Sequence, residues 1–533
     1  MRTRAFREGV VAIIVAMTAV SGVATARVKT TAGLVQGTDA SDARIRVFKG
    51  IRYAAPPIGE LRWQAPRPVP PWSGIRQATQ FGPRCMQGRI FADMVFRDEP
   101  GEDCLYLNVW TPAHTPRNRL PVMVWIHGGG FQAGSGSEPR QDGEALAGNG
   151  VVVVTFNYRL GVFGFFAHPE LTRESRRHAS GNYGLLDQVA ALRWVQENIG
   201  AFGGDPRNVT IFGESAGSFA VSALMASPLA SGLFHKAIGE SGAFFTAGDQ
   251  TLAPRSLSAS EQLGLKFAAA IGAESLAALR GKSADDVLQA ALKTQPWFAP
   301  NIDGAFLPQD VYEVYAAGRQ SHVPLLAGWN ADEIRGGVVL AKEKTDVHTF
   351  TENVRKRFGD QADALLNVYP AATDPEAVES AAALASDLFI GYATWKWIEM
   401  HVQTGRAPVY RYSFDRKIPV APDTTINGRP ATSRDVGARH AGEIEYVFGM
   451  LASSPKVRWE DADRTLSHLM MTYWTNFART GDPNGAGLPK WPRYDESSRR
   501  VLHLDETVRD APDSLRSRYE QLDAYVAKHR VRN

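Results

Sequence analysis

A buried strand that runs straight into Gly-x-Ser-x-Gly narrows the choice of folds more than any other stretch of this sequence. Val209-Thr210-Ile211-Phe212 is apolar enough to lie inside a sheet. Gly213-Glu214-Ser215-Ala216-Gly217 follows without a break, and an Ala-rich helical segment comes next. Such a strand–turn–helix lifts a serine hydroxyl above a sheet, and the flanking glycines leave room for a turn that side chains would crowd. In a chain this long the pentapeptide arises by chance roughly one time in five. Oxyanion donors, a base and an acid must therefore be found elsewhere.

The surroundings fit a sheet. Pro121–Ile126 and Val151–Phe156 are nearly unbroken apolar runs, as expected of strands covered on both faces. Glu102–Trp110 alternates and predicts a half-buried strand. Val28–Gln36 and Ile45–Val47 read as short strands, and Phe48–Gly59, with Pro56 and Pro57, as an extended, packed loop. Asn182 is placed to cap a helix over about 183–199 whose apolar residues share one face. Further strands are expected at Ala237–Glu240, Val323–Gly328 and Val409–Phe414. Helical insertions are expected at Ala259–Ile271, with a capping box from Ser258 and Glu261, and at Ala284–Lys293. Apolar strands alternating with helices predict an α/β fold: a large, mostly parallel central sheet with helices on both faces and helical and loop insertions over the site.

Charge and termini exclude several partners. Residues 1–26 carry Arg2, Arg4, Arg7 and Glu8, which is +2 of the formal net charge of +3, and no basic tract points to nucleic acid. The arginines precede the apolar run Val10–Val20 and then Ala24-Thr25-Ala26, the order of a secretory signal peptide cleaved after Ala26. That run is short for a bilayer, with an uncleaved membrane anchor as the alternative reading, and no other stretch approaches a membrane span. The expectation is a secreted or periplasmic protein with residues 27–533 as one catalytic domain. Cys85 and Cys104 fit a disulfide in an oxidising compartment, with two free thiols as the alternative, and nothing near them has metal-ligand spacing. The sequence calls for no cofactor or metal and does not specify an oligomeric state.

His127-Gly128-Gly129-Gly130-Phe131 follows a buried strand, where bare backbone N–H groups can meet a developing oxyanion. With the serine turn some 85 residues on, the sequence resembles the type-B carboxylesterase and lipase family, which includes the cholinesterases. The resemblance covers residues 28 to about 505. It rests on Phe48–Pro57, Glu102–Trp110, His127–Phe131, Asn157–Gly161, Gly181–Gln188, Phe202–Gly217, Ile302-Asp303-Gly304, Asp332-Glu333, Gly437–Phe448 and Gly481–Asn484. It implies an α/β-hydrolase fold and a secreted serine carboxylesterase of bacterial type that acts on small-molecule esters through an acyl-enzyme. Ser215 matches the nucleophile, His440 the base and Glu333 the acid, with Asp332 as the neighbouring alternative. The N–H groups of Gly129, Gly130 and Ala216 match the oxyanion hole. Ser241 matches a serine behind the histidine, where a plain strand-end hydroxyl is the competing reading. Ile334 and Ser218 depart from the family pattern without removing a catalytic group.

The resemblance also bears on substrate. The loop Met86–Asp103 has no Trp, and Phe91 and Phe96 are its only aromatics, so no platform for choline is evident. Phe244, Phe245, Trp297 and Phe298 fall in regions that border the acyl pocket in the family. The polar loop Lys417–Asp435, with Arg429, Arg434 and the preceding Arg416, lies close before His440. Its arginines are either solvated charges or a bias toward acidic esters. Two rival readings are a catalytically silent cholinesterase-like binding protein and an acyltransferase or lactonase using the same triad.

Overall fold

Alternation along one strand sets the architecture. Within Leu120–Ile126, Val122, Val124 and Ile126 enter one apolar core while Met123 and Trp125 enter a second. A strand covered on both faces has to be apolar throughout. The computed structural model describes residues 26–245, 253–334, 345–426 and 428–530. The leader expected over residues 1–26 lies outside these apart from its last residue.

Eleven strands form one sheet. In chain order they are β1 (Thr38–Asp39), β2 (Arg46–Arg52), β3 (Tyr106–Thr111), β4 (Leu120–Ile126), β5 (Val152–Phe156), β6 (Gly204–Glu214), β7 (Lys236–Glu240), β8 (Leu325–Asn330), β9 (Val409–Phe414), β10 (Arg500–Leu504) and β11 (Arg509–Pro512). Their spatial order is β11-β10-β9-β8-β7-β6-β4-β5-β3-β2-β1. From β5 across to β10 every pairing is parallel. The pairings toward both edges are antiparallel. This is an α/β-hydrolase fold, with a mixed sheet whose parallel part is its centre. β5 pairs on one side of β4 and β6 on the other, so the carboxyl ends of β4 and β6 open side by side at a topological switch point.

Helices cover both faces. The first core takes residues of α1 (Tyr183–Asn198), α2 (Ala216–Ala226), α3 (Leu257–Ala270), α4 (Ala284–Thr294) and α5 (Tyr392–Thr404). The second takes Leu466, Met470, Trp474 and Phe477 from α6 (Asp461–Thr480).

Several local expectations change in the folded chain. Asn182 does not cap α1 with its side chain. Its amide instead exchanges two hydrogen bonds with the backbone of Asn301, so a tertiary partner displaces the local one. Helix α3 starts earlier than expected and is capped by Ser256, whose hydroxyl accepts from Ala259 N. Ser258 thus lies inside the first turn. The segment 102–110 is not half-buried: Leu107–Thr111 are all buried between β2 and β5. Asn108 is tolerated there because its side chain bonds Gly50 N, Gly136 O and Thr155 Oγ1. Chain expected to be loop from Phe48 continues as strand to Arg52, and Val28–Gln36 is a hairpin of Arg27–Lys29 with Leu34–Gln36.

Candidate active site

β6 is buried from Val209 to Glu214, and Ser215 follows at φ 53°, ψ −123°, a conformation that L-residues rarely adopt. The elbow closes because its glycines lie against the neighbouring strand. A Cβ on Gly217 would overlap the carbonyl oxygen of Ile126, and one on Gly213 would sit 2.6 Å from the same oxygen. Backbone bonds hold the turn from both sides: Ser215 N donates to Glu240 O at 2.9 Å, and Phe219 N to Ser215 O at 2.9 Å.

Three side chains meet there, one directly after β6, one just past β8 and one from the loop that follows the helical turn Ser433–Val436. Ser215 Oγ lies 2.9 Å from His440 Nε2, and His440 Nδ1 lies 2.5 Å from Glu333 Oε2. Glu333 is buried, and its other oxygen accepts from Asn330 N at 2.9 Å. Asp332, the alternative acid, turns elsewhere: its carboxylate accepts from Ala438 N at 3.0 Å, and its own N–H donates to Ala438 O at 3.1 Å. It therefore ties the loop before His440 to the loop of Glu333.

The glycine loop follows β4. Gly129, Gly130 and Phe131 all have positive φ (99°, 60° and 60°), which curls the chain so that Gln132 N and Ala133 N both donate to Gly129 O. Among the described residues the N–H groups of Gly129, Gly130 and Ala216 donate to no other group of the protein. Ala216 is the first residue of α2, where the helix leaves its N–H free. His127 anchors the loop from below: it stacks on Tyr158 with centroids 4.3 Å apart, and Tyr158 Oη donates to His127 O. Burial pulls the imidazole of His127 down to about 4, so it is neutral there.

Two buried carboxylates that sequence reasoning missed, Glu214 and Glu443, act on His440, and a third, Glu240, lies close to both of them. Glu214 Oε1 is 3.3 Å from His440 Nε2. Glu443 accepts from Asn330 Nδ2 at 2.6 Å and from Ser241 Oγ at 3.3 Å, and Glu240 accepts from Trp474 Nε1 at 2.7 Å. Burial raises Glu214 to about 8 and Glu443 to about 7. Burial opposes charge on His440 too, but the carboxylates of Glu214 and Glu333 outweigh it and raise the imidazole to about 9. The two groups act on each other: the charge of His440 lowers Glu214, and the charge of Glu214 raises His440. Glu214 is the first of the two variable residues of the Gly-x-Ser-x-Gly motif, and its place beside the serine is the one sequence signal that points to it.

The other expected residues divide. Ser241 reaches Glu443, not His440. Phe244 packs on Phe131 and Phe219, Phe245 on Tyr315, and Phe298 on Phe166 and Phe267, and all three are buried. Trp297 alone of the four is part-exposed, and its ring reaches within 3.0 Å of where a Gly130 Cβ would stand. Phe91 and Met94 approach Gly130 and Gly129 from the Cys85–Cys104 loop, whose two cysteines are joined in a disulfide. Gln87 binds that loop to Gly134 through both amide atoms. Phe389, on a π-helical turn over Asp387–Gly391, sets its ring edge-on to His440 at 5.2 Å. Ser218 Oγ donates to Gly242 O, and Ile334 N donates to Ser386 Oγ. Arg416 is bound by Asp463 and Glu460, and Arg429 by Asp435, so neither is a spare cation for an acidic ester.

Residues 24–522 match the Carboxylesterase family. Fumonisin B1 esterase of Sphingopyxis macrogoltabida is 38% identical over 494 residues, covering 87% of this chain and 84% of that protein. Para-nitrobenzyl esterase of Bacillus subtilis (strain 168) is 38% identical over 513 residues, covering 91% and 96%. A solved structure of a PNB esterase superimposes with TM-score 0.79 at 35% identity, covering 93% of this chain and 99% of that one. A Geobacillus stearothermophilus carboxylesterase does so with TM-score 0.77 at 33% identity, covering 94% and 99%.

Proposed function

The chain belongs to the carboxylesterase family and is a carboxylic ester hydrolase, and from that premise we propose that it cuts its ester through Ser215, His440 and Glu333. The observation that carries this reading is the unbroken chain of contacts from Ser215 Oγ through both ring nitrogens of His440 to Glu333 Oε2. His440 Nε2 takes the Oγ proton as the oxygen attacks the ester carbonyl. The N–H groups of Gly129, Gly130 and Ala216 stabilise the oxyanion that develops, and as fixed backbone donors they need no reorganisation. Collapse breaks the bond to the alcohol, which leaves with the proton from His440, and Ser215 is left acylated. Water, deprotonated by the same imidazole, then releases the acid. Glu333 holds the proton on Nδ1 and stabilises the imidazolium formed in both halves.

Trp297, Phe91, Met94 and Phe389 border these groups, which supports an uncharged, apolar ester as substrate. No cation is free at the mouth in Arg416 or Arg429 to recruit an acidic one. Export is part of the proposal: it rests on the charged, apolar and small-residue order of residues 1–26, and the Cys85–Cys104 pairing is consistent with it.

Ser215→Ala tests the nucleophile. Turnover of p-nitrophenyl acetate should fall by at least about 10³-fold with the circular dichroism spectrum intact, and an organophosphonate should label Ser215. Activity within tenfold of the parent, or a label on Ser218 or Ser241, would end the assignment.

A further inference from the structure

Away from the catalytic groups, a cleft of about 530 Å³ opens between the segment Trp63–Arg67, the exposed side of α1 and the loop that carries Asp303 and Phe306. Its size falls within the range of small-molecule pockets, about 300–1,000 Å³. The floor is apolar, formed by Leu186, Val189, Leu229 and Phe306. Four arginines, Arg67, Arg176, Arg177 and Arg193, line the same cleft.

Ion pairing separates these arginines from some others on the surface. Arg44, Arg97, Arg119, Arg280 and Arg429 each hold a carboxylate. None of the four at the cleft is in an ion pair among the described residues, and Arg67 reaches only the amide oxygen of Gln64. The two carboxylates that share the cleft do not cancel them. Glu174 is held by both terminal nitrogens of Arg280 at 2.8 Å. Asp303 spends Oδ1 on the N–H groups of Ala305, Phe306 and Leu307. Uncompensated like charges converging on one cavity repel each other, and an anion relieves that cost. Guanidinium groups offer carboxylates paired N–H donors, and the floor offers burial to a hydrocarbon chain.

We propose that this cleft is a second binding site, specific for carboxylates with an apolar tail, the acid half that hydrolysis of an apolar ester releases. The cleft is joined to the catalytic side by one segment of backbone. Asn182, in its wall, exchanges hydrogen bonds of 2.9 and 3.0 Å with the backbone of Asn301. Asn301 lies four residues from Trp297, whose ring abuts Gly130.

A dodecanoate carrying a photoreactive diazirine tests the assignment, with sites of labelling mapped by peptide mass spectrometry. Labelling in the peptides of residues 171–193 or 303–306 is expected. Unlabelled dodecanoate should compete, whereas dodecanol, with tail but no charge, and acetate, with charge but no tail, should not. Arg177→Glu with Arg193→Glu should weaken labelling by about tenfold, as expected for reversing charges at a partly exposed site. Arg193→Gln should do so more mildly. In both variants the turnover of p-nitrophenyl acetate without dodecanoate should stay unchanged, which also establishes that they fold. Labelling confined to residues 86–103, 297–302 or 389, equal competition by dodecanol, or labelling indifferent to charge reversal in an active variant would overturn the proposal. Sites are mapped directly and no turnover of the probe is needed, so the outcome does not depend on Ser215 being the nucleophile.

Discussion

Replacing Glu333 by Gln removes one charge and almost no volume, and the geometry leaves the new side chain no good orientation. In the parent, Oε1 accepts from Asn330 N and Oε2 faces His440 Nδ1 at 2.5 Å. If the amide oxygen of Gln stays on Asn330 N, its NH₂ points at Nδ1, which must then be unprotonated. The imidazole proton moves to Nε2, and His440 can no longer accept from Ser215. If the amide flips, Nδ1–H keeps an acceptor, but the NH₂ meets Asn330 N–H with both donors buried and unpaired, at a cost of about 1–3 kcal/mol. Even then the imidazolium formed during reaction loses its ionic partner, worth about a further 1.5–3 kcal/mol. Together these give about 2.5–6 kcal/mol of lost transition-state stabilisation, or roughly 10²- to 10⁴-fold in kcat/KM. The assay is p-nitrophenyl acetate hydrolysis between pH 6 and 9, with circular dichroism as the check on folding. A folded variant within about fivefold of the parent would refute the reasoning, and would hand the orienting role to Glu214 or Glu443.

Two more predictions concern charge and export. Because Glu214 and Glu333 outweigh burial and raise His440, Glu214→Gln removes one of the anions that favour the imidazolium. The base is active when unprotonated, so the acid limb of kcat/KM should move to lower pH; a limb that stays put or moves up would show that Glu214 does not set it. If residues 1–26 are a leader, N-terminal sequencing of protein from the periplasm or medium should start at Arg27, and an intact Met1 there would refute the cleavage.

What could be read from the sequence follows how local each constraint is. The elbow is legible because Gly213 and Gly217 answer a clash within their own turn and with the next strand. β4 is legible because both its faces are covered, so its composition alone reports its environment. Asn182 misleads for the opposite reason: its side chain has a better partner 119 residues away than its own helix terminus. The carboxylates around His440 are invisible for the same cause. Glu214 and Glu443 lie in separate segments, and only the folded chain brings both to one imidazole, with Glu240 close to the pair. Phe389 faces His440 from a π-helical turn, a local rearrangement that residue spacing does not announce.

The wide spacing of the three residues proposed to react has a consequence for how activity arises as the chain folds. Ser215 and His440 are 225 residues apart and Glu333 and His440 are 107 apart; Ser215 follows the end of β6, Glu333 lies just past β8, and His440 sits in a loop well beyond β9. Contacts over such distances pay for loop closure before they return any stability, so they form late. If these residues are the reacting groups, the sheet from β4 through β9 has to be in register before any ester is cut. Hydrolysis is therefore the last property this chain acquires in folding and the first it should lose on partial unfolding, which makes turnover a stricter measure of the native state than helix content.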